Sequence, residues 1–548
     1  MLGIVFRGGM ATYAVRYWLP VMRRAWRPQQ TQANVLRTIV CANQTTQFGI
    51  EHGFAGIRTP EDFRQRVAVQ DYEKLRDYIE RQRRTGEPAL TTEPPLFYAQ
   101  TSGSTGKPKY IPVCASALRL YRAEQALFTY LQYRACPAAF SGKALGIMGS
   151  AVEGGLDSGH NVGSVSGYLY ESLPSAVQSR FVVPPRVSTI SDYDLKYLVI
   201  LRLALASPDV SYLGSPNPST FLRLLEVLNQ KRDVLARSLE TGTLPELDTL
   251  DPNTREVVSR RLQPDRTRAM QLSGKGPLTF ASLWPQIALV TTWTGGSCGI
   301  ALDKLRTALP RHTKVMELGY QSTECRGTIA LDAETPFGLP PLHHHFFEFI
   351  RQDHWDSGRL EFRGLGELES NERYYILITT AAGLYRYFMN DLVEAAGRYR
   401  NTPLLRFVQK GKGVTSLTGE KLYEAQVIQA VQDTARRHGF APGFFLLVAE
   451  EESSSYHLFL ETDDAGTSSM LQTAAEVDQR LGELNVEYYS KRASGRLAPL
   501  QIARLKHGTG EAYKAACVRA GQREGQFKPA VLQYRRDLLL RFEPYVVE

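Results

Sequence analysis

Residues 98–109 read Tyr-Ala-Gln-Thr-Ser-Gly-Ser-Thr-Gly-Lys-Pro-Lys. Glycines let backbone N–H groups approach an anion closely, hydroxyls donate to it, and a lysine neutralises it. Ser102, Gly103, Ser104, Thr105, Gly106 and Lys107 are therefore candidates for gripping a polyphosphate. The run is not a Walker A loop. Thr101 stands where that motif has its first glycine, and Pro108 where it has Ser or Thr. A second run, Gly295-Gly296-Ser297-Cys298-Gly299, fits the G-x-S-x-G of a nucleophile elbow. With Asp332 or Asp391 and then His438 or His507 it gives the chain order of a hydrolase triad, so a serine esterase using Ser297 is one reading. The run His343-His344-His345, read as strand, puts His343 and His345 on one face; metal binding there would need a third ligand.

These segments need a scaffold, and the apolar pattern supplies one. Residues 28–93 read as helical, with Thr59-Pro60-Glu61-Asp62 as a helix start and 72–84 as a second, polar helix. A short strand at 96–99 leads into the phosphate loop. Strands are expected at 145–148, 210–214 and 287–292, with helices at 193–206 and 219–231 between them. Further strands are expected at 346–350, 360–362 and 374–379. This alternation is the pattern of an α/β protein. Lys410-Gly411-Lys412-Gly413 reads as a solvated break. Beyond it come a helix at 424–437, strands at 444–449 and 456–460, and a helix at 470–484. The expected division is a large unit over 1–409, a hinge at 410–413 and a smaller unit over 414–548.

The loop Thr-Ser-Gly-Ser-Thr-Gly-Lys-Pro-Lys resembles the phosphate loop of adenylate-forming enzymes, the firefly-luciferase-like superfamily that activates a carboxylate with ATP. Further segments narrow the likeness to its GH3 branch, the acyl acid–amido synthetases. Gly319 to Glu324 is similar to that branch's Tyr-x-Ser-Ser/Thr-Glu. Tyr385 to Asp391 is similar to its Tyr-Arg-x-x-x-Gly-Asp, with Asn390 in place of the glycine. Phe407 to Lys421 looks like its hinge, with Gln409-Lys410 replacing two basic residues. Gly525-Gln526-Phe527-Lys528-Pro529 resembles its Gln-Tyr-Lys-x-Pro, with the proline one place early.

The resemblance implies a large N-terminal adenylate-forming domain, built of β-sheets flanked by helices plus a β-barrel-like part. A smaller, mobile α/β C-terminal domain would close over it. It implies ATP and Mg²⁺, a small carboxylic acid and an amine, expected to be an amino acid. Gly295, Gly296, Tyr320, Ser322, Thr323, Asp391 and Lys410 become nucleotide contacts: Tyr320 as a flat face for adenine, Asp391 as acceptor for the ribose hydroxyls. Glu324 is a hard oxygen ligand suited to Mg²⁺. Lys421 and Lys528 become catalytic, provided their domain closes. For the acid, the helix at 118–133 offers Arg119 and Arg122, and Tyr212 and His345 are further candidates. A CoA ligase with a thiol acceptor differs only in the second nucleophile and is the nearer rival. A non-catalytic binding module is a third reading.

Composition limits the rest. At 548 residues the chain is too long for one ordinary core, and 43% hydrophobic with 22% charged residues is a globular balance. No apolar run reaches the roughly 18 residues of a membrane span. Six scattered cysteines without a CxxC pair signal neither zinc nor disulfides, and a reducing cytoplasm is the expected compartment. The net charge of +9 is uneven: the first 50 residues carry six arginines and no acid, and residues 491–548 carry +7, which leaves −4 between them. Basic ends around an acidic middle argue against a nucleic-acid coat. Residues 12–26 mix aromatic residues with arginine; the expected role is a self-packed helix, with a membrane-surface helix as the alternative. A monomer is expected.

Overall fold

The computed structural model describes residues 2–101, 109–274, 276–295, 297–411, 413–415, 417, 420, 422–450, 452–462, 470–493, 497–520, 522, 524, 527–538 and 540–547. The protein is α/β, with several sheets wrapped by helices.

Four parallel strands, Lys143–Gly146, Val210–Gly214, Leu289–Thr292 and Lys314–Glu317, lie side by side in that order. Their register sets Leu145 beside Leu213, Leu213 beside Val290 and Val290 beside Val315. Such strands are covered on both faces, so they read as continuous apolar runs rather than alternating ones. The covering helices obey the same logic. Tyr193–Leu205 buries every residue from Tyr197 to Leu205, and Ser219–Gln230 turns Phe221, Leu224 and Leu228 inward.

A second sheet of seven strands is antiparallel and curved. Its long members are Phe346–Arg351, Glu372–Thr379, Tyr387–Tyr399 and Thr402–Lys410. A smaller sheet pairs Pro95–Thr101 with Lys109–Cys114, so Thr101 lies opposite Lys109. The phosphate-loop residues Ser102 to Pro108 lie outside the described residues, as do Gly296, Lys421, Gly525 and Gln526.

The C-terminal part has its own sheet, in the order Gln501–Leu505, Ser455–Thr462, Pro442–Glu450, Leu532–Tyr534. Glu424–His438 and Met470–Leu484 pack Val427, Val431, Val477 and Leu481 against one face. On the other face Phe444, Phe459, Tyr513 and Phe542 form an aromatic cluster.

Two local expectations are corrected. Residues 360–362 are irregular: Leu360 is exposed, Phe362 lies flat under the Arg386 guanidinium at 4.2 Å, and pairing starts only at Arg363 opposite Phe349. His343 to His345 form a turn, because Pro340-Pro341 precede them and the Pro341 carbonyl accepts from the His344 N–H at 2.9 Å. The strand begins after them, at Phe346. At the N-terminus Leu2–Tyr13, a π-helical turn Ala14–Trp18 and Leu19–Arg24 follow one another without a break, and Pro20 lies directly after the π-turn.

The same segment packs on its own protein. Trp18 and Val21 are buried with Leu127, Phe128 and Leu131, and Arg134 caps the Trp18 ring at 4.7 Å. Among the described residues no helix is long and apolar enough to cross a membrane.

Candidate active site

The carboxyl ends of the parallel strands open into one crevice, the place where α/β sheets hold ligands. After Leu289–Thr292 the chain turns through Trp293, Thr294 and Gly295. After Lys314–Glu317 it turns through Gly319 and Tyr320. Glu317 ties the two turns together. Its carboxylate accepts from the Thr294 N–H at 2.8 Å, from the Thr294 hydroxyl, and from the Gly319 N–H at 3.0 Å. Burial pushes the Glu317 carboxyl up, against the pull of those donors and of Lys528.

Two glycines shape the second turn. Gly319 has φ +93, and a side chain there would meet the Thr328 carbonyl oxygen at 2.4 Å. At Gly327 a Cβ would fall 2.1 Å from the Tyr320 ring, so only glycine lets the ring lie flat. Tyr320 stacks on Phe407 with centroids 5.6 Å apart and planes 18° from parallel. Its phenol donates to Asp391 Oδ2 at 2.6 Å. Burial, reinforced by the Asp391 charge, keeps that phenol protonated well above the usual tyrosine range.

Asp391 is held in place by its neighbours. Tyr385 donates to the Leu90 carbonyl at 2.5 Å. Arg386 donates to Glu348 at 2.9 Å and to the Val67 carbonyl at 2.7 Å, all three being buried. Asn390 has φ +50, which accounts for the glycine usual at this place. Asparagine is among the few other residues that tolerate the left-handed region.

Lys528 comes from the C-terminal part. Its ammonium lies 4.0 Å above the Trp293 ring and 4.7 Å from that of Phe407, close enough for cation–π attraction. Two contacts hold its segment down: the Asn217 amide donates to the Phe527 carbonyl, and the Tyr197 hydroxyl donates to Glu524 at 2.8 Å. Lys514 pairs with the same Glu524 at 2.9 Å.

The structure thus brings together Gly295, Tyr320, Asp391 and Lys528, with Ser322 closing the intervening turn by accepting from the Cys325 N–H at 3.2 Å. Thr323 and Glu324 follow, half-buried, and the Tyr121 hydroxyl reaches the Glu324 carbonyl at 3.4 Å. The side chains of Lys410 and Ser297 lie outside what the structure describes. Arg119 and Arg122 are not brought to the crevice. Both are exposed, and Arg119 pairs with Glu93 at 3.5 Å; the helix Ala115–Ala135 buries Glu124 and Phe128 on its other side, with Tyr121 half-buried. Tyr212 accepts from the Gln132 amide at 3.0 Å, and His345 sits 3.4 Å from Glu124.

The histidines and aspartates of the esterase reading are engaged elsewhere. His438 pairs with Glu476 at 2.7 Å and His507 lies beside Glu461, both in the C-terminal part, while Asp391 is engaged by Tyr320 and Asp332 caps its own turn. Among the described residues no group of three His, Cys, Asp or Glu side chains is placed to hold a metal.

Trp293, Phe407 and Glu317 were not picked out by sequence reasoning. Trp293 and Glu317 stand where an apolar strand gives way to a glycine turn, and that placement was the available signal. Phe407 opens the hinge-like segment, but its aromatic role beside Tyr320 has no signal in the sequence.

Comparison with known proteins agrees with the geometry. Residues 22–314, 339–410 and 425–537 match the GH3 family N-terminal, central and C-terminal domains. An indole-3-acetic acid-amido synthetase of Arabidopsis thaliana is 26% identical over 438 residues, 74% of this chain and 71% of its own. The solved structure of GH3.15 acyl acid amido synthetase superposes with a TM-score of 0.86 at 22% identity, over 98% of this chain and 97% of that one. A 2-hydroxyisobutyryl-CoA ligase in its postadenylation state shares the fold at a TM-score of 0.59 and 12% identity, over 94% and 92% of the chains. Three consecutive domain matches span most of these 548 residues, and the chain belongs to the GH3 family.

Proposed function

We propose that this protein is an ATP-dependent ligase that adenylates a small carboxylic acid and passes the acyl group to an amine, an amino acid, to form an amide. The observation that carries it is the Lys528 ammonium, 4.0 Å above Trp293 and 4.7 Å from Phe407, over the crevice that holds the Tyr320–Asp391 pair. In this reading Tyr320 presents its face to adenine and Asp391 accepts from the ribose hydroxyls. The acid's oxygen attacks the α-phosphorus and pyrophosphate leaves. Lys528 stabilises the negative charge gathering on the phosphoryl oxygens, where a preorganised cation acts most strongly. The amine nitrogen then attacks the activated carbonyl, loses its proton, and AMP departs. Packing of Phe527 and Glu524 on Asn217 and Tyr197 keeps water from the labile adenylate.

Mg²⁺ fits the donor set, since it takes one or two carboxylates and completes its shell with phosphate oxygens and water. Glu324 would hold it, and it would neutralise charge between the phosphates. Ser102 to Lys107, Gly296, Lys410 and Lys421 complete the nucleotide site on this reading. The proposal also includes a hinge at 410–413, a lid from 414 onward, and a cytoplasmic monomer.

The test is pyrophosphate release across a panel of alkyl and aryl acids, each with amino acids or with CoA as acceptor. Amide products from amino acids, lost in Lys528→Ala, support the reading. Thioester products from CoA alone would replace it with the thiol-acceptor ligase, and ester hydrolysis without ATP would remove it.

A further inference from the structure

The N-terminal segment takes no part in the crevice, and its two faces differ. Trp18, Val21 and Ala25 recur at helical spacing and are buried. Val15, Leu19 and Trp26, four and seven residues apart, are 64%, 38% and 52% exposed. Elsewhere among the described residues, exposed large apolar side chains stand singly along the chain, which is ordinary. Three of them within one helical segment form a patch, and a patch calls for an explanation.

The patch is set in positive charge. Arg16, Arg23, Arg24 and Arg27 are exposed, and the first 50 residues hold no acid. Arg400 joins them from the turn between Tyr387–Tyr399 and Thr402–Lys410, with its guanidinium 5.0 Å from the Trp26 ring. None of these five arginines pairs with a carboxylate among the described residues. Arg16 and Arg24 also line, with His343, a cavity of about 200 Å³, and His343 Nδ1 is buried without a hydrogen-bond partner. The segment is anchored to that turn. The Asn401 amide donates to the Trp26 carbonyl at 2.7 Å, and the Asn401 N–H and the Thr402 hydroxyl donate to the Ala25 carbonyl at 3.1 and 2.9 Å. The outward side chains are therefore displayed by a fixed element.

We propose that this face docks on the surface of a bilayer that carries anionic headgroups. Val15, Leu19 and Trp26 enter the boundary between headgroups and acyl chains, and the arginines meet lipid phosphates. Tryptophan and arginine suit that boundary, because each has an apolar body and a polar tip. Arg16, Arg24 and His343 Nδ1 offer donors to one headgroup phosphate. The contact is peripheral, since among the described residues no helix is long and apolar enough to cross. A second copy of this chain is a poorer occupant: a two-fold interface sets the same patch against itself, arginine facing arginine.

The experiment measures partition of the full chain onto vesicles of phosphatidylcholine alone and of phosphatidylcholine mixed with phosphatidylglycerol, by co-sedimentation and tryptophan emission. Of the five tryptophans Trp26 is the exposed one, so a blue shift reports its entry into lipid. Partition onto the anionic vesicles should be stronger by at least about tenfold. Leu19→Ser, which leaves the net charge unchanged, and the pair Arg16→Gln/Arg24→Gln should each weaken it about tenfold. The pair Arg519→Gln/Arg541→Gln removes the same charge from exposed positions in the C-terminal part and should leave partition nearly unchanged. Equal loss in both arginine pairs would reveal a diffuse charge effect and overturn the inference, as would undiminished partition of Leu19→Ser. Absence of partition onto either vesicle also overturns it. A dimer split by Leu19→Ser in sedimentation velocity would then assign the face to a second copy, and a monomer would assign it to an acidic protein. Thermal melts check that each variant is folded. Pyrophosphate release without lipid should be the same in Leu19→Ser as in the wild type, so this inference and the ligase reading fail separately.

Discussion

The Tyr320 phenol donates a 2.6 Å hydrogen bond to the fully buried Asp391 carboxylate, joining residues 71 apart in sequence. One sits in the turn after a parallel strand and the other on the long strand Tyr387–Tyr399 of the antiparallel sheet. The bond is a seam between the two sheets, and in the proposed function it also orients the nucleotide pocket.

Tyr320→Phe keeps the ring and removes only the donor. Taking a partner from a buried charged acceptor costs about 1–3 kcal/mol. The expected result is a KM for ATP raised about tenfold, since 1.4 kcal/mol is a factor of ten, with little change in KM for the acid. Initial-rate kinetics with each substrate varied in turn check this. An unchanged KM for ATP would detach Tyr320 from the nucleotide.

Lys528→Ala removes the cation above Trp293 and Phe407. Loss of one preorganised charge-stabilising group lowers kcat by about 10²–10³. Adenylation, followed by ATP–pyrophosphate exchange, should fall by that factor. Added salt should weaken ATP capture more than acid binding, because residues 491–548, which include Lys528, carry a net +7. Equal salt sensitivity of both substrates would count against an electrostatic role.

Asn390 occupies φ +50, and a β-branched residue there carries the left-handed strain of about 1–2 kcal/mol. Asn390→Val should therefore lose that much in urea unfolding, and Asn390→Gly should be close to neutral. Gly411 is coupled to the same place, since a Cβ on it would fall 2.2 Å from Asn390 Oδ1. A stable Asn390→Val would show that the segment can rearrange.

Glu124 gives a pH signature. Burial raises its carboxyl, but the His344 hydrogen bond and the nearby charge of His344 and His345 outweigh burial and hold it at about 2, below the ordinary 4.5. A folded-state value below the unfolded one contributes stability that is complete above about pH 4.5 and is lost as pH falls towards 2. Relative to Glu124→Gln, the wild type should lose about 2 kcal/mol between pH 4.5 and 3, at 1.36 kcal/mol per unit. Urea titrations of both proteins across that range measure it. Parallel pH profiles would mean that Glu124 is not ionised in the folded state.

Much of the scaffold could be read along the chain. The strands at 210–214 and 287–292 and the helix at 193–206 are legible as continuous apolar runs, which is how elements covered on both sides read, and the helix at 470–484 as a one-sided apolar stripe. The failures are places where neighbours override the pattern. The histidine run has strand-like composition, but two prolines force a turn. Residues 360–362 are apolar, yet Phe362 serves as a platform for Arg386 rather than as a strand residue.

By itself the sequence determined the α/β class, the family motifs and the residue types able to handle phosphate and carboxylate, because these are carried by short contiguous segments. Only the tertiary structure decided which side chains share a space. It set Trp293 and Phe407 beneath Lys528, moved Arg119 and Arg122 out to solvent, and closed Glu124, His344 and His345 into one buried cluster. The physical reason is that burial and pairing depend on contacts between residues hundreds of positions apart. Glu124 and His344 are separated by 220 residues, and no local pattern encodes such a contact.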